Sequence, residues 1–393
     1  MIHIQNNEDC CGCTACASIC AHDAITMKPD ALGFLYPEID ESRCVDCSLC
    51  EKVCSFVKKS DTKNDITTPV AYAVRHKDIH QVETSRSGAA FVALSDWILQ
   101  QGGIIYGVGY KEHFVVAHKR AINKEQRDEF KGSKYVQSNL DGIFRLVKED
   151  LHNGHLVLFS GTPCQVGGLK SYIPERYQKN LYTIDIICYG VPSPKLWNDY
   201  IDYIEQRYKN VIISVNFRDK GKYGWYDQKE SFIFKNGIVL YNNTYADLFG
   251  QAFLRHSCFK CPYTNLKRNG DITIGDYWGW QRTDQYFNKD GKGCSLAIVN
   301  STKGVRWFEK ASSQLNIIPA KLENIIQNKL MKPTEKPVNL DEFEKDYIQK
   351  GFRYVARYYG NAKTSLNDDT IFNICIRKGR SAIRRIIKLI GNK

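Results

Sequence analysis

The chain has 393 residues, of which 43% are hydrophobic and 12% aromatic, with a formal net charge of +12. That length is too great for a single small module and points to two or three domains, and the composition excludes a chain disordered by default. No apolar run reaches membrane-spanning length; the best stretch, Ala89–Leu99, is short and interrupted by Asp96. The polar opening residues do not read as an export signal, so the expected location is cytoplasmic, with the 15 cysteines serving as thiolate ligands rather than disulfides.

The first element is a cysteine repeat. Cys10, Cys13, Cys16 and Cys20 have the spacing Cys-x2-Cys-x2-Cys-x3-Cys, and Cys44, Cys47, Cys50 and Cys54 repeat it. Thiolates at every third residue wrap three corners of an iron–sulfur cube, while the fourth cysteine of each run reaches the other cluster. One cluster is thus expected on Cys10, Cys13, Cys16 and Cys54, the other on Cys44, Cys47, Cys50 and Cys20. Zinc is the competing reading, but two matched quartets fit it poorly. Residues 1–58 resemble bacterial dicluster ferredoxins, departing from them at Ala21 and Ser55, where a proline usually follows each run. Between the quartets, Ala24–Met27 and Phe34–Ile39 read as strands of a hairpin turning at Pro29–Gly33. Cys11 is a spare thiol, expected to pack beside a cluster.

Residues 59–68 are polar and aperiodic and read as a linker. Beyond them strand and helix patterns alternate. Val70–Arg75, Ile104–Tyr110, Phe114–Ala121, Leu156–Phe159 and Tyr182–Cys188 read as strands; Ala89–Gln101, Leu140–His152 and Gln165–Ile173 read as helices. A more β-rich part follows, with Val211–Phe217, a hairpin turning near Asn236-Gly237, Asp271–Ile274 and Ser295–Val299. The expected fold is an α+β ferredoxin-like dicluster module (1–58), then a larger mixed α/β flavin-binding domain (69–150 and 151–330), then a C-terminal helical tail (331–393).

Four more cysteines stand in suggestive places. Cys164 follows the apolar strand Leu156–Phe159, with Thr162 as a plausible N-cap and Pro163 at the first helical position. A helix N-terminus there favours a thiolate or an anionic cluster. Cys188 closes the next apolar strand, and Cys258 and Cys261 form a Cys-x2-Cys pair. Taken singly, these residues also admit a nucleophile, a redox or zinc pair, and a core thiol.

From about Pro69 to Val299 the chain resembles the β subunit of coenzyme F420-reducing hydrogenases and dehydrogenases. The similar stretches are Ser87-Gly88, Gln101–Gly107, Lys131–Ser138, Gly161–Gln165, Cys188–Pro194, Cys258–Cys261 and Asp271–Gly279. It departs at Tyr189, where relatives often carry His, and at Ala89, where a second Gly is common. The resemblance implies a flavin, usually FAD, beside a third [4Fe–4S] cluster ligated by Cys164, Cys188, Cys258 and Cys261. No Gly-x-Gly-x-x-Gly follows a strand, so flavin contacts are sought elsewhere. The stretch Thr84-Ser85-Arg86-Ser87-Gly88-Ala89, which precedes a helix, with Ser87 and Gly88 at its centre, and the loop of Lys131, Gly132, Ser133, Lys134 and Tyr135 suit a pyrophosphate or ring edge. Their plainer readings are a capped helix and a basic loop. Asp276 is a candidate proton donor, and Tyr277 and Trp278 suit either ring stacking or the core.

Charge is uneven: residues 1–58 carry −5 and residues 371–393 carry +7. Ile376, Ile383, Ile386, Ile387 and Ile390 recur at helical spacing among basic residues, giving a basic amphipathic helix. It suits the inner membrane face, an acidic partner, or packing on its own domain. Nucleic acid is not expected as a partner. The expected function is a flavin-dependent oxidoreductase that exchanges single electrons with a redox partner protein; the alternative is a non-catalytic subunit feeding a separate catalytic subunit.

Overall fold

The computed structural model describes residues 1–56, 65–227, 229–250 and 253–360. Most of the expected linker and the basic helix at 371–393 lie outside the described residues.

The two cysteine loops repeat in backbone as well as in sequence. Gly12 and Thr14 have φ of 69° and 65°, and Asp46 and Ser48, at the matching positions of the second run, have φ of 49° and 57°. Each left-handed step redirects the chain so that successive cysteines face inward. Short helices Ala15–Ile19 and Leu49–Val53 close the loops. Between them strands β1 (Ile25–Pro29) and β2 (Leu35–Ile39) pair antiparallel. Their turn is tied by Asp30, whose Oδ1 accepts the amides of Leu32 at 3.0 Å and Phe34 at 2.8 Å.

The larger domain is built on an eight-stranded sheet. Its strands are β3 (Val70–His76), β4 (Ile104–Tyr110), β5 (Val116–Ala121), β6 (Val157–Gly161), β7 (Leu181–Ile186), β11 (Ile272–Asp276), β12 (Ser295–Val299) and β13 (Leu315–Ala320). Their order is β13-β3-β12-β11-β7-β6-β4-β5. Four adjacent strands, β11, β7, β6 and β4, run parallel, and antiparallel strands flank them on both sides. Parallel central strands are covered on both faces and therefore read as apolar runs; Val157, Leu158 and Phe159 are fully buried. A smaller antiparallel sheet holds β8 (Ile212–Asn216), β9 (Glu230–Phe234) and β10 (Val239–Asn242). The β9–β10 hairpin turns at Gly237, with φ of 81°, where Asn236-Gly237 marks it in the sequence.

The dicluster module shares a core with this domain. Cys11, Cys13, Ala15 and Val53 pack in one cluster with Phe144, Phe159 and Leu169. Polar ties reinforce the seam. Arg145 donates to the carbonyls of Ala17 and Cys20, both at 3.1 Å, and Arg255 to those of Cys10 at 2.7 Å and Leu35 at 2.9 Å. Among the described residues, no helix is long and apolar enough to cross a membrane.

Candidate redox centre and cleft

Burial pushes the Cys16 thiol well above its ordinary range, and the neighbouring sulfurs of Cys13, Cys10 and Cys54 push the same way. Cys54, from the second run, is thus among the first-run sulfurs. Backbone amides point at several sulfurs: Ile2 N–H to Cys50 at 3.2 Å, Gly12 to Cys10 at 3.3 Å and Ala24 to Cys20 at 3.4 Å. Such donors favour a charged sulfur. Cys47 is exposed, as are Val45 and Leu49, whereas Cys50 of the same run is buried.

The third quartet assembles at the carboxyl ends of the parallel strands. β6 ends at Gly161, and Pro163 opens the helix Pro163–Tyr172. Gln165 Oε1 accepts the Thr162 amide at 3.0 Å, and the Thr162 hydroxyl lies 3.2 Å from Cys164 Sγ. Cys188 follows β7. Cys258 and Cys261 come from the short helix His256–Lys260 and the residue after it. Arg268 holds these pieces together: it pairs with fully buried Asp185 of β7 at 3.0 Å and donates to the carbonyls of Tyr263 at 2.7 Å and Ile186 at 2.9 Å. The chain after Cys261 is thereby pinned to the strand end that leads into Cys188.

The four sulfurs perturb one another. Burial, then Cys164, raises Cys188 to about 12. Burial, then Cys188, raises Cys258, which also feels Cys164 and Cys261. Amides of Gly190 and Val191 approach Cys188 and Cys258, both at 3.4 Å. Among the described residues no group of three or more His, Cys, Asp or Glu converges on a single metal-ion position.

Cys11, the spare thiol, is the residue between the two centres. It is buried and lies near both Cys13 and Cys164: they push its thiol up, and it pulls both of theirs down. Gln137 Nε2 fixes its carbonyl at 3.0 Å, and Arg255 Nη1 donates to Gln137 Oε1 at 3.0 Å. Gln137 falls in the Lys131–Ser138 stretch and Arg255 in no local sequence pattern; only the fold brings both to the first cysteine loop.

A cleft of about 540 Å³ opens beside this centre, within the usual range of roughly 300–1,000 Å³ for small-molecule sites. Cys188, Tyr189, Asp276 and Trp278 line it, as do Ser87 and the loop from Lys131 to Tyr135. It sits at the carboxyl ends of the parallel strands, where open α/β sheets bind ligands. The individual candidates divide by environment. Ser87 Oγ donates to the Cys294 carbonyl at 2.7 Å. Gly88 lies so close to β3 that an added Cβ would stand 2.3 Å from the Val74 carbonyl oxygen. Lys131 Nζ pairs with Asp128 at 2.9 Å and Gln81 at 2.7 Å. Lys134 Nζ donates to the carbonyls of Glu129 at 2.8 Å and Lys131 at 2.9 Å, and burial lowers it to about 7. Gly132 and Ser133 stay at the cleft wall between them. Asp276 accepts from Arg218 at 3.1 Å and Trp225 Nε1 at 3.2 Å. Tyr277 is buried in the core, whereas Trp278 faces the cleft, stacked on Trp225 at 4.7 Å.

Fold and site together define an iron–sulfur protein with an internal cleft at its sheet's carboxyl edge. Residues 9–57 match a 4Fe-4S dicluster domain, and residues 154–324 match the C terminus of the coenzyme F420 hydrogenase/dehydrogenase beta subunit. The chain therefore carries the C-terminal domain of that beta-subunit family behind a dicluster ferredoxin-type module. Among solved structures, a chain of the F420-reducing NiFe hydrogenase complex from Methanosarcina barkeri is 16% identical, with 75% of this chain and 90% of that chain covered at a TM-score of 0.46. Nothing among the curated proteins matches the chain.

Proposed function

We propose that the chain is an iron–sulfur flavoprotein oxidoreductase, in which single electrons pass between the ferredoxin module and a flavin, FAD by family resemblance, in the cleft. A third [4Fe–4S] cluster on Cys164, Cys188, Cys258 and Cys261 joins the two. The observation that carries this reading is the helix Pro163–Tyr172: its first turn supplies Cys164, and one turn later Gly168 lies against Cys13. One rigid element thus spans from the ferredoxin cysteines to the cleft.

A bound flavin would supply the capacity to hold two electrons and exchange them singly. The protein's own residues supply the rest. Ser87 and the Lys131–Tyr135 loop form the wall, Gly88 packs behind it against β3, Trp278 offers a flat face, and Asp276 is held between two arginines. The redox partner, a ferredoxin-like carrier or a catalytic subunit, meets the exposed Cys47 edge. A cytoplasmic location, with the basic helix at 371–393 touching the membrane face, completes the proposal.

A second reading, a non-catalytic subunit of a larger redox complex, is favoured by Val45 and Leu49, 59% and 42% exposed beside Cys47. Anaerobic purification with iron, sulfide and flavin assays tests both. About twelve irons and one flavin per chain support the full scheme, whereas about eight irons remove the third cluster. Absence of flavin removes the two-electron step. Turnover only after a partner is added favours the non-catalytic reading.

A further inference from the structure

The cleft holds polar hydrogens with nothing to accept them. On the segment between β3 and the helix Ala90–Gln100, Ser85 Oγ, Arg86 Nε and Arg86 Nη1 are buried without a hydrogen-bond partner. Both residues line the cleft. The Arg86 side chain is only 10% exposed. Its Nη2 donates to the Trp225 carbonyl at 2.7 Å and reaches Asp276 at 3.5 Å. Buried donors in native structures are overwhelmingly paired, and an unpaired charged one is the costliest case.

Two further features surround these groups. Arg218, 7% exposed, pairs with the same Asp276 at 3.1 Å, so one carboxylate faces two guanidinium groups and a positive excess remains. The eleven-residue helix Ala90–Gln100 starts from Ala89 with no side-chain cap, and Ala89, Ala90 and Phe91 line the cleft. Its first amides present the positive end of the helix dipole. The sequence candidates Lys131 and Lys134 are already engaged with Asp128, Gln81 and backbone carbonyls.

The geometry points to an oxyanion subsite formed by Ser85, Arg86 and the uncapped start of the helix Ala90–Gln100, backed by Arg218. It takes a phosphate or carboxylate of the organic molecule bound in the cleft. Guanidinium, hydroxyl and backbone amides are the usual donors for such groups. The inference rests on the cleft being the flavin and substrate site, and the oxyanion belongs either to the flavin's phosphates or to the substrate.

The test uses the full chain prepared without oxygen, as wild type and Arg86→Gln, with iron content checked in both. FAD and riboflavin are titrated by fluorescence quenching. Inorganic pyrophosphate is titrated by calorimetry into flavin-free and FAD-loaded protein. Flavin-free wild type binds pyrophosphate, and R86Q weakens it by about tenfold or more, the scale of a lost charged hydrogen bond. If the flavin supplies the oxyanion, FAD weakens by a similar factor, riboflavin does not, and FAD-loaded protein no longer takes pyrophosphate. If the substrate supplies it, FAD is unaffected and the loaded protein still binds pyrophosphate through Arg86. The subsite is overturned if flavin-free wild type does not bind pyrophosphate, or if R86Q binds it as wild type does. Pyrophosphate binding through Arg86 in a protein that takes up no flavin would refute the flavin reading alone. Should R86Q lose its iron, Arg86→Lys, which keeps the charge without the planar fork, is measured the same way and weakens pyrophosphate; unchanged binding overturns the subsite.

Discussion

A Cβ added to Gly168 would stand 2.7 Å from the Sγ of Cys13. The helix that carries Cys164 therefore approaches the first ferredoxin loop as closely as a bare backbone allows. Helix propensity alone would make alanine better than glycine there by about 1 kcal/mol. Overpacking a filled seam costs roughly 1–3 kcal/mol, so the clash should win. Gly168→Ala is expected to lower the melting temperature and to reduce iron bound per chain. A variant that melts higher, with full iron, would show that the helix and the loop are not in obligatory contact.

Arg255 is the second device at this seam. Its guanidinium donates to Cys10 O, Leu35 O and Gln137 Oε1, and lies 4.1 Å from the Tyr36 ring centroid. Its side chain is fully buried. Replacement by Gln should cost about 3 kcal/mol or more, because backbone acceptors are left unpaired. Removing a positive charge beside cysteine sulfurs should also make the nearest cluster harder to reduce. Arg255→Lys separates the two effects: it keeps the charge and loses the fork, so stability falls while the potential stays nearer wild type. Redox titration monitored by electron paramagnetic resonance and chemical denaturation read these independently. Equal potentials in wild type and Arg255→Gln would remove the electrostatic role.

Sequence legibility follows the range of the contact. The cysteine quartets are local spacing signals, and the Cys16 thiol feels Cys54 of the second run as well as Cys10 and Cys13 of its own. Strands β4 and β12 have the expected bounds, because buried parallel or central strands are continuous apolar runs. β5 starts later than expected, at Val116, since Glu112–Phe114 form a short helical turn with His113 and Phe114 at positive φ. β13 escapes notice because Pro319 interrupts its pattern; it is an edge strand paired only with β3, where proline is tolerated. The helix Pro194–Tyr208 is absent from the expected elements, although Ser193 at its N-cap and Pro194 at its first position signal it. Arg86 lies inside the stretch 84–89 that the sequence offers for a pyrophosphate, though nothing there marks it as the key donor; Gly168 and Arg255 could not be found this way. Their partners lie many residues distant, and a single glycine or arginine carries no spacing.

Ala89, a residue with a Cβ, holds a left-handed φ of 63°. Left-handed backbone costs a residue with a Cβ about 1 kcal/mol. Glycine removes that strain but has more freedom to lose on folding, roughly 0.5–1 kcal/mol. Ala89→Gly should therefore leave stability nearly level, and up to about 1 kcal/mol higher. Thermal melts check this, and a large loss of stability would mean that the Ala89 methyl packs more tightly than its backbone is strained.

His118 lies behind the cleft lining, bonded to Ser138 and Ser160 of that lining, and is expected to make stability depend on pH. Its Nε2 lies 3.1 Å from the Ser160 carbonyl, which can only accept, so that nitrogen holds the ring proton. Nδ1 then accepts the Ser138 hydroxyl at 3.0 Å, and Ser138 Oγ in turn accepts from Gln165 Nε2 at 3.0 Å. Gln165 also fixes the start of the Cys164 helix. Burial lowers His118 from 6.5 to about 4. Between those values the unfolded chain binds the proton and the folded one does not. The contribution is complete above about pH 6.5, declines as pH falls towards 4 and is flat below; its full size is at most about 3 kcal/mol. Stability measured by denaturation from pH 7.5 to 4.5 should fall more steeply in wild type than in His118→Gln, which cannot titrate. Parallel curves for the two proteins would show that the imidazole is not held neutral by this network.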